Sequence, residues 1–199
     1  MELTPLQKDV LLELINIGVG RAAGMLNRMV SAHVQLQAPE LQVFSPGEFM
    51  ASSYGQRQDM LASVRIVFSG SFSGVSSLIF SQEGASKLAS LALQPQGLDA
   101  EDSSLRAETL REIGNIVLNG VMGSVANIMK VKLAYATPAY AEGRIGDLLD
   151  AQEDMSGRIL LARTMFNIKD HRIRGEALIL FSLESFDALL GAIDAISSR

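Results

Sequence analysis

The sequence of 199 residues contains no cysteine and only two histidines, His33 and His171. Without cysteine the chain cannot form a disulfide, a thiolate nucleophile or a cysteine metal site. The two histidines are too few and too far apart in sequence to indicate a metal-binding motif. A covalent mechanism based on Cys or on a Ser/His pair is therefore poorly supported, and we expect no metal ion or cofactor belonging to the protein itself.

Basic charge and long apolar runs are also scarce. The formal net charge is −5, and Lys and Arg form no cluster. Nucleic-acid-binding surfaces normally show a basic stripe, so we expect a protein or small-ligand partner and no nucleic acid. No stretch approaches the roughly 18 apolar residues of a membrane span, and the start MELTPLQKDV lacks the pattern of a secretory signal. These features predict a cytoplasmic protein without membrane insertion.

The first half of the chain shows a clear order of elements. Thr4 as a cap, followed by Pro5 and Gln7, predicts a helix over 5–29. Two short strands within 33–44, a short capped helix from Ser45, a hairpin turning at 70–74 and a helix capped by Ser81 follow.

The second half of the chain repeats this order. A stretch rich in Pro, Gly and acidic residues, 94–104, predicts a linker. Beyond it we predict a helix over 104–129, a strand over 131–138 and a short helix over 142–149. A second hairpin across KDHRIR and a closing helix over 182–196 complete the chain.

The repeat can be checked by its register. Three pairs of identical residues lie 99 positions apart: Glu13 and Glu112, Asn16 and Asn115, Pro39 and Pro138. Each half offers only a few strands, fewer than usually form a stable sheet alone. We therefore predict an α/β (α+β) fold with pseudo-twofold symmetry, in which one domain, 1–199, consists of two pseudo-repeats, about 4–94 and 104–198, that share a sheet and carry two long surface helices.

Each long helix carries a polar face, since steps of three and four residues bring side chains onto one side of a helix. The first face holds Asp9, Glu13, Asn16 and Gly20. The second face holds Glu108, Glu112, Asn115 and Asn119. One such face would most simply be solvated surface. Two in the same register favour a function, because Lys, Glu or Gln would suit a solvated helix better than Asn.

The paired Glu and Asn side chains suit a reaction in which the protein positions the reacting groups. Asn cannot act as a nucleophile or general base near neutral pH, but it offers a carbonyl acceptor and an NH2 donor in fixed relation. That geometry suits it to holding a water in line with an electrophile, while a Glu three residues earlier can meet a cation on a partner. Orientation of this kind can lower a reaction barrier substantially, because the geometry is fixed before the chemical step.

The spacing Asp or Ser, three residues, Glu, two residues, Asn, twenty-two residues, Pro resembles the CheC/CheX/FliY family of phosphatases, which act on the phosphorylated chemotaxis response regulator CheY. The chain carries this pattern twice: Asp9, Glu13, Asn16 and Pro39, then Glu108, Glu112, Asn115 and Pro138. The stretches INIGVGRAAGML and LREIGNI look like the family's helix signatures. The resemblance covers essentially the whole chain, and with two motif copies it is closest to CheC.

The resemblance implies that the long helices dock against a receiver domain. It implies that Asn16 and Asn115 orient water for attack on an aspartyl phosphate, that Glu13 and Glu112 pair with a receiver Lys, and that the receiver holds the Mg²⁺. Four further residues would contact the docked receiver: Asp9, Glu108, Gly20 and Asn119. The family also has a partner deamidase, CheD, whose binding surface the sequence does not locate.

The chain departs from the family pattern at three positions. Glu108 stands where the family has Asp or Ser, Ile15 replaces a usual Gly, and Arg21 replaces an expected Asn. We expect these bulky or charged groups to alter the approach of a partner and to make the two sites unequal.

Two functions stay open at this stage. One is a phosphatase for a CheY-like receiver, and the other is a non-catalytic adaptor that binds or sequesters a phosphorylated receiver or a CheD-like partner. A small-molecule sensor built on the nine Met residues is a weaker alternative, because core packing explains Met more simply.

Overall fold

The computed structural model describes residues 3–52, 55–98, 102–150, 159–181 and 186–197. The helices in these ranges are α1 (Pro5–Val30), α2 (Pro46–Ala51), α3 (Gln82–Leu93), α4 (Ser103–Met129), α5 (Ile145–Asp150) and α6 (Phe186–Ser197). The strands are β1 (Gln35–Leu36), β2 (Glu40–Phe44), β3 (Leu61–Gly70), β4 (Gly74–Ser81), β5 (Leu133–Tyr135), β6 (Ala139–Gly143), β7 (Ile159–Ile168) and β8 (Ile173–Phe181).

All eight strands join one antiparallel sheet in the order β1-β7-β8-β4-β3-β5, with β2 also paired to β7 and β6 to β3. Exchanging β1–β4 for β5–β8 reverses this order, so the sheet has an approximate twofold axis between β4 and β8. The short strands of each half pair with a long strand of the other half. The predicted fold of mixed helices and sheet is confirmed, and the limits of the two repeats stay a prediction.

Apolar side chains bury both faces of the sheet, because successive residues of a strand point to opposite sides. Leu78 and Ile179 belong to the large core that packs under α1, α3, α4 and α6. Ile79 and Leu178 point the other way, into a smaller cluster with Phe49 of α2 and with α5. The long helices α1 and α4 therefore lie on one face of the sheet and keep their outer sides for solvent.

The helix starts follow the capping signals in the sequence. Thr4 and Gln7 close a capping box at α1, in which the Thr4 hydroxyl accepts from the Gln7 backbone N–H at 3.2 Å. The same Gln7 side chain donates to Asp194 of α6 at 3.1 Å and so joins the two ends of the described chain. Ser45 and Ser81 cap α2 and α3 in the same manner. These predicted starts are confirmed.

β6 was not predicted from the sequence. The predicted single strand followed by a helix from residue 142 is wrong, because residues 139–143 form a strand and α5 begins at Ile145. The segment AYAEG has a single large apolar residue, Tyr140, and no strong strand pattern. Pairing with β3 across the twofold axis holds it as a strand.

The predicted linker and closing helix are described only in part. Residues Gln94–Gln96 form a short 3-10 turn that ends at Gly97 with φ of 68°, and α4 begins at Ser103 after the cap Asp102. The central linker residues 99–101 and the expected helix start, 182–185, lie outside the described residues. In the ranges that are described, no helix is long and apolar enough to cross a membrane.

Candidate active site

The helices α1 and α4 meet near their middles. A Cβ added to Gly18 would lie 2.8 Å from the carbonyl oxygen of Val121, so only glycine permits this approach of the two backbones. Beside this contact the guanidinium of Arg21 donates to the Ser124 hydroxyl at 3.4 Å. The close packing fixes the relation between the two polar faces, one on each helix.

The α1 face, defined as Asp9, Glu13, Asn16 and Gly20, is exposed along its whole length. The neighbouring Leu14 is buried and belongs to the core, so the helix turns its polar side outward. Among the described residues none hydrogen-bonds to the Asn16 side chain. The structure thus places the four predicted residues together on one open surface, where the Asn16 carboxamide is free to rotate.

The α4 face, defined as Glu108, Glu112, Asn115 and Asn119, differs in its second half. Both glutamates are exposed, whereas both asparagines are half-buried. The Nδ2 of Asn119 donates to the Oδ1 of Asn115 at 2.7 Å. The Oδ1 of Asn119 is buried and has no hydrogen-bond partner among the described residues. The two faces therefore share their residue register but hold their central Asn differently.

The Asn115 to Asn119 contact joins residues i and i+4, a spacing that is visible in the sequence. The sequence analysis placed both residues on one face but did not foresee that they bond to each other. The identical spacing after Asn16 leads to Gly20, so a comparison of the two repeats would have pointed to this asymmetry.

The expectation that Ile15 alters the approach of a partner is wrong. Its side chain is only 2% exposed and packs into the core, away from the α1 face. The matching position on α4 is Gly114, where an added Cβ would lie 2.3 Å from Cγ1 of Val64. The difference between the two helices is therefore one of packing against the sheet. Arg21 does remain at the surface, close to the seam between α1 and α4.

The glycines of the two helices fall into two groups. Gly18, Gly114 and Gly120 lie against Val121, Val64 and Met25, respectively, and serve close packing. Gly20, Gly24 and Gly123 have no atom within 4 Å of an added Cβ. Glycine in a helix interior costs about 1 kcal/mol relative to Ala, and contacts within the chain do not explain that cost for the second group. All three have open space beside the backbone, and Gly20 is also exposed on the α1 face.

The two motif prolines each stand just before a short strand. Pro39 and Pro138 immediately precede β2 and β6, the strands that cross to the other half. Proline is tolerated at the start of an edge strand because the ladder does not need its missing N–H. Asn27, a further polar residue of α1, is structural, since its Oδ1 accepts from the Val34 backbone N–H at 2.8 Å.

The polar faces carry no arrangement suited to a metal ion. Within the described ranges, no group of three or more His, Asp or Glu side chains is placed to hold one. Chemically, each face offers a carboxylate that can meet a cation and a carboxamide that can orient a small molecule. Both groups are suited to positioning other groups, and neither is a nucleophile.

Comparison with known proteins identifies relatives of similar length. No protein-family model matches the chain. The CheY-P phosphatase CheC of Bacillus subtilis (strain 168) is 21% identical over 198 residues, which cover 95% of this chain and 94% of that protein. The structure of Thermotoga maritima FliY has a TM-score of 0.76 at 14% identity and covers 98% of this chain and 100% of its own.

Two further structures share the fold. A chain of the CheX–CheY–BeF3–Mg²⁺ complex from Borrelia burgdorferi has a TM-score of 0.56 at 19% identity, covering 86% of this chain and 99% of its own. The FliM middle domain from H. pylori has a TM-score of 0.65 at 12% identity, covering 96% and 99%.

The full-length similarity to CheC and the shared fold support the resemblance to the CheC/CheX/FliY family. Of these relatives, one is named a CheY-P phosphatase and another comes from a complex that contains CheX and CheY. The presence of FliM among the neighbours means that the fold alone does not assign an activity.

Proposed function

We propose that the chain is a phosphatase that hydrolyses the aspartyl phosphate of a CheY-like receiver domain. The observation that carries the proposal is the pair of Glu and Asn faces, displayed outward in one register on α1 and α4. A relative by sequence is named a CheY-P phosphatase, and a neighbour by fold is a chain of a complex that contains CheX and CheY. The cytoplasmic location expected from the sequence belongs to the same proposal.

The proposed reaction needs no nucleophile from this chain. A water oxygen attacks the phosphorus, the bond between phosphorus and the aspartyl oxygen breaks, and the products are inorganic phosphate and a receiver carboxylate. Phosphoryl transfer depends mainly on positioning and charge stabilisation. Asn16 or Asn115 would orient the water through its carboxamide, and the receiver would contribute the Mg²⁺.

The acidic residues would dock the receiver. Glu13 and Glu112 stand one turn before the central Asn on each helix and are exposed, so each can meet a Lys of the partner. Asp9 and Glu108 extend the acidic edge by one further turn. The open backbone at Gly20 would let the partner approach α1 closely.

The decisive experiment follows phosphate loss from a phosphorylated CheY-like receiver in the presence of Mg²⁺. The parent protein should accelerate this loss over the spontaneous rate. Asn16→Ala and Asn115→Ala should each remove part of the acceleration, and the double variant should remove all of it. Because these side chains lie at or near the surface, the variants should keep the parent's fold, which circular dichroism and thermal unfolding check.

A matched control replaces an Asn on α4 outside the polar faces. Asn127 is exposed near the end of α4, and Asn127→Ala should leave the rate unchanged. No acceleration by the parent, or full acceleration by the double Asn variant, would contradict the proposed activity.

The second candidate is an adaptor that binds a phosphorylated receiver without turnover. It is favoured by the FliM middle domain, whose fold this chain shares. An adaptor would bind the phosphorylated receiver more tightly than the unphosphorylated one and leave the phosphate lifetime unchanged. A CheD-like deamidase is the alternative partner within this candidate, and a binding measurement with each protein separates the two.

A further inference from the structure

We infer that Asn119 is a positioning residue that fixes the carboxamide of Asn115, and that this makes the α4 face the more active of the two faces. The inference rests on the proposed phosphatase function and deepens it. It assigns Asn119 a role that acts through Asn115, in place of the direct contact with a receiver expected from the sequence.

The hydrogen bond between the two side chains selects one orientation of Asn115. While Asn119 keeps its own amide orientation, with Nδ2 donating to the Asn115 Oδ1 at 2.7 Å, a half-turn of the Asn115 amide alone would place two donors against each other. The bound orientation leaves the Asn115 Oδ1 one lone pair and both of its N–H groups. These are the groups needed to hold a water and to contact a phosphoryl oxygen.

Asn119 itself is poorly placed to contact a partner. Its Nδ2 is engaged by Asn115, and its Oδ1 is buried without a hydrogen-bond partner among the described residues. A buried unsatisfied acceptor is unfavourable, and Asn is a weaker helix former than Leu or Met. An apolar residue would remove both disadvantages. What such a residue could not provide is the bond to Asn115.

The α1 face shows the same motif without this support. Gly20 occupies the position four residues after Asn16, and the Asn16 side chain is exposed. The Asn16 side chain must therefore lose its rotational freedom when it orients a water, whereas the bond to Asn119 already restricts the rotation of Asn115. Immobilising one side chain on binding typically changes an equilibrium about threefold to tenfold. We expect a difference of that size between the two faces.

The kinetic test isolates the α4 face by using the Asn16→Ala background. In this background Asn119→Ala should lower kcat for receiver dephosphorylation about threefold to tenfold and leave KM unchanged. Asn127→Ala in the same background should change neither constant. An unchanged kcat, or a raised KM with constant kcat, would overturn the inference, since the latter indicates direct docking.

A second measurement tests the bond without any activity. Side-chain ¹⁵N relaxation of the Asn amide groups should show Asn115 ordered and Asn16 mobile in the parent protein. In Asn119→Ala, Asn115 should become as mobile as Asn16. Equal mobility of the two in the parent would also overturn the inference.

The outcomes distinguish this inference from the proposed function. If the parent accelerates dephosphorylation and Asn119→Ala retains its full kcat, the inference alone fails and the phosphatase assignment stands. If the parent does not accelerate dephosphorylation, the proposed function fails and the catalytic role of Asn119 fails with it. The relaxation data then still report whether the bond exists. Ala is a better helix former than Asn, so the variant should fold.

Discussion

Two glycines of α4 offer a matched test of how this helix lies on the sheet. At Gly114 an added Cβ would lie 2.3 Å from Cγ1 and 2.7 Å from Cβ of Val64, so the helix or β3 must shift. Overpacking of this kind costs about 1–3 kcal/mol, and the gain in helix propensity from Gly to Ala is about 1 kcal/mol. Because the contact involves the branched base of Val64, Gly114→Ala should be destabilising by a net of up to about 2 kcal/mol.

Gly123 is the control, because an added Cβ has no atom within 4 Å. Gly123→Ala should stabilise the protein by about 0.5–1 kcal/mol through helix propensity alone. The two variants should therefore differ by about 2 kcal/mol in the free energy of unfolding. For a chain of this length that difference corresponds to about 4–8 °C in Tm.

Urea unfolding and thermal scans of the two variants measure this difference. A third variant identifies its cause. Val64→Ala removes the two methyl groups, which lie 2.3 and 3.3 Å from the new Cβ, but keeps the Val64 Cβ at 2.7 Å, so in that background Gly114→Ala should be less destabilising than in the parent. If Gly114→Ala raises stability in the parent as much as Gly123→Ala does, α4 does not pack on β3 as described. The packing argument would then be refuted.

Three further predictions concern single side chains. Ile15→Ala should lower the free energy of unfolding by about 2–4 kcal/mol in urea titrations, because Ile15 is 2% exposed. The kcat of the folded protein at the α1 face should stay unchanged. Gln7→Ala should lower the free energy of unfolding by about 1–2 kcal/mol in the same assay, since it breaks both the capping box and the bond to Asp194. An unchanged free energy of unfolding would mean that these bonds do not form. Burial and the hydrogen bond to Glu142 raise the pKa of Tyr140 from 10.0 to about 12. As the pH rises, this phenol therefore ionises in the unfolded chain before it ionises in the folded protein. Its contribution to stability is present below pH 10 and falls as the pH approaches 12. Tyr140→Phe should remove that part of the alkaline loss in unfolding measurements across this pH range, and an identical pH profile would contradict the assignment.

Much of the local structure could be predicted from the sequence. Thr4, Ser45 and Ser81 marked helix starts because a capping side chain bonds to a backbone N–H only three residues ahead. The hairpin turn at 70–74 could be predicted because Gly70 follows one apolar strand and Gly74 precedes the next. The polar faces were visible because helical periodicity is set by sequence spacing alone.

The connections between the halves could not be predicted in this way. β6 is too short and too polar to signal a strand, and it forms one because Tyr140 and its neighbours pair with β3, a strand of the other half. Ile15 and Gly114 occupy matching positions in the two repeats, yet only the packing shows that both face inward. Helical spacing places Ile15 four residues after Leu11, on the apolar side of α1, but a helix position does not reveal which neighbour lies beneath it.

The sequence by itself therefore determined the capped helix starts, the doubled Glu and Asn motif and the outward faces that carry it, since each depends on contacts within a few residues. The tertiary structure decided how the halves exchange strands and how deeply each face is buried. It also decided the difference between the two faces, with Asn115 bonded to a half-buried Asn119 and Asn16 exposed beside Gly20. Burial depends on segments far away in the chain, and burial makes a bond between two polar side chains persist against competition from water.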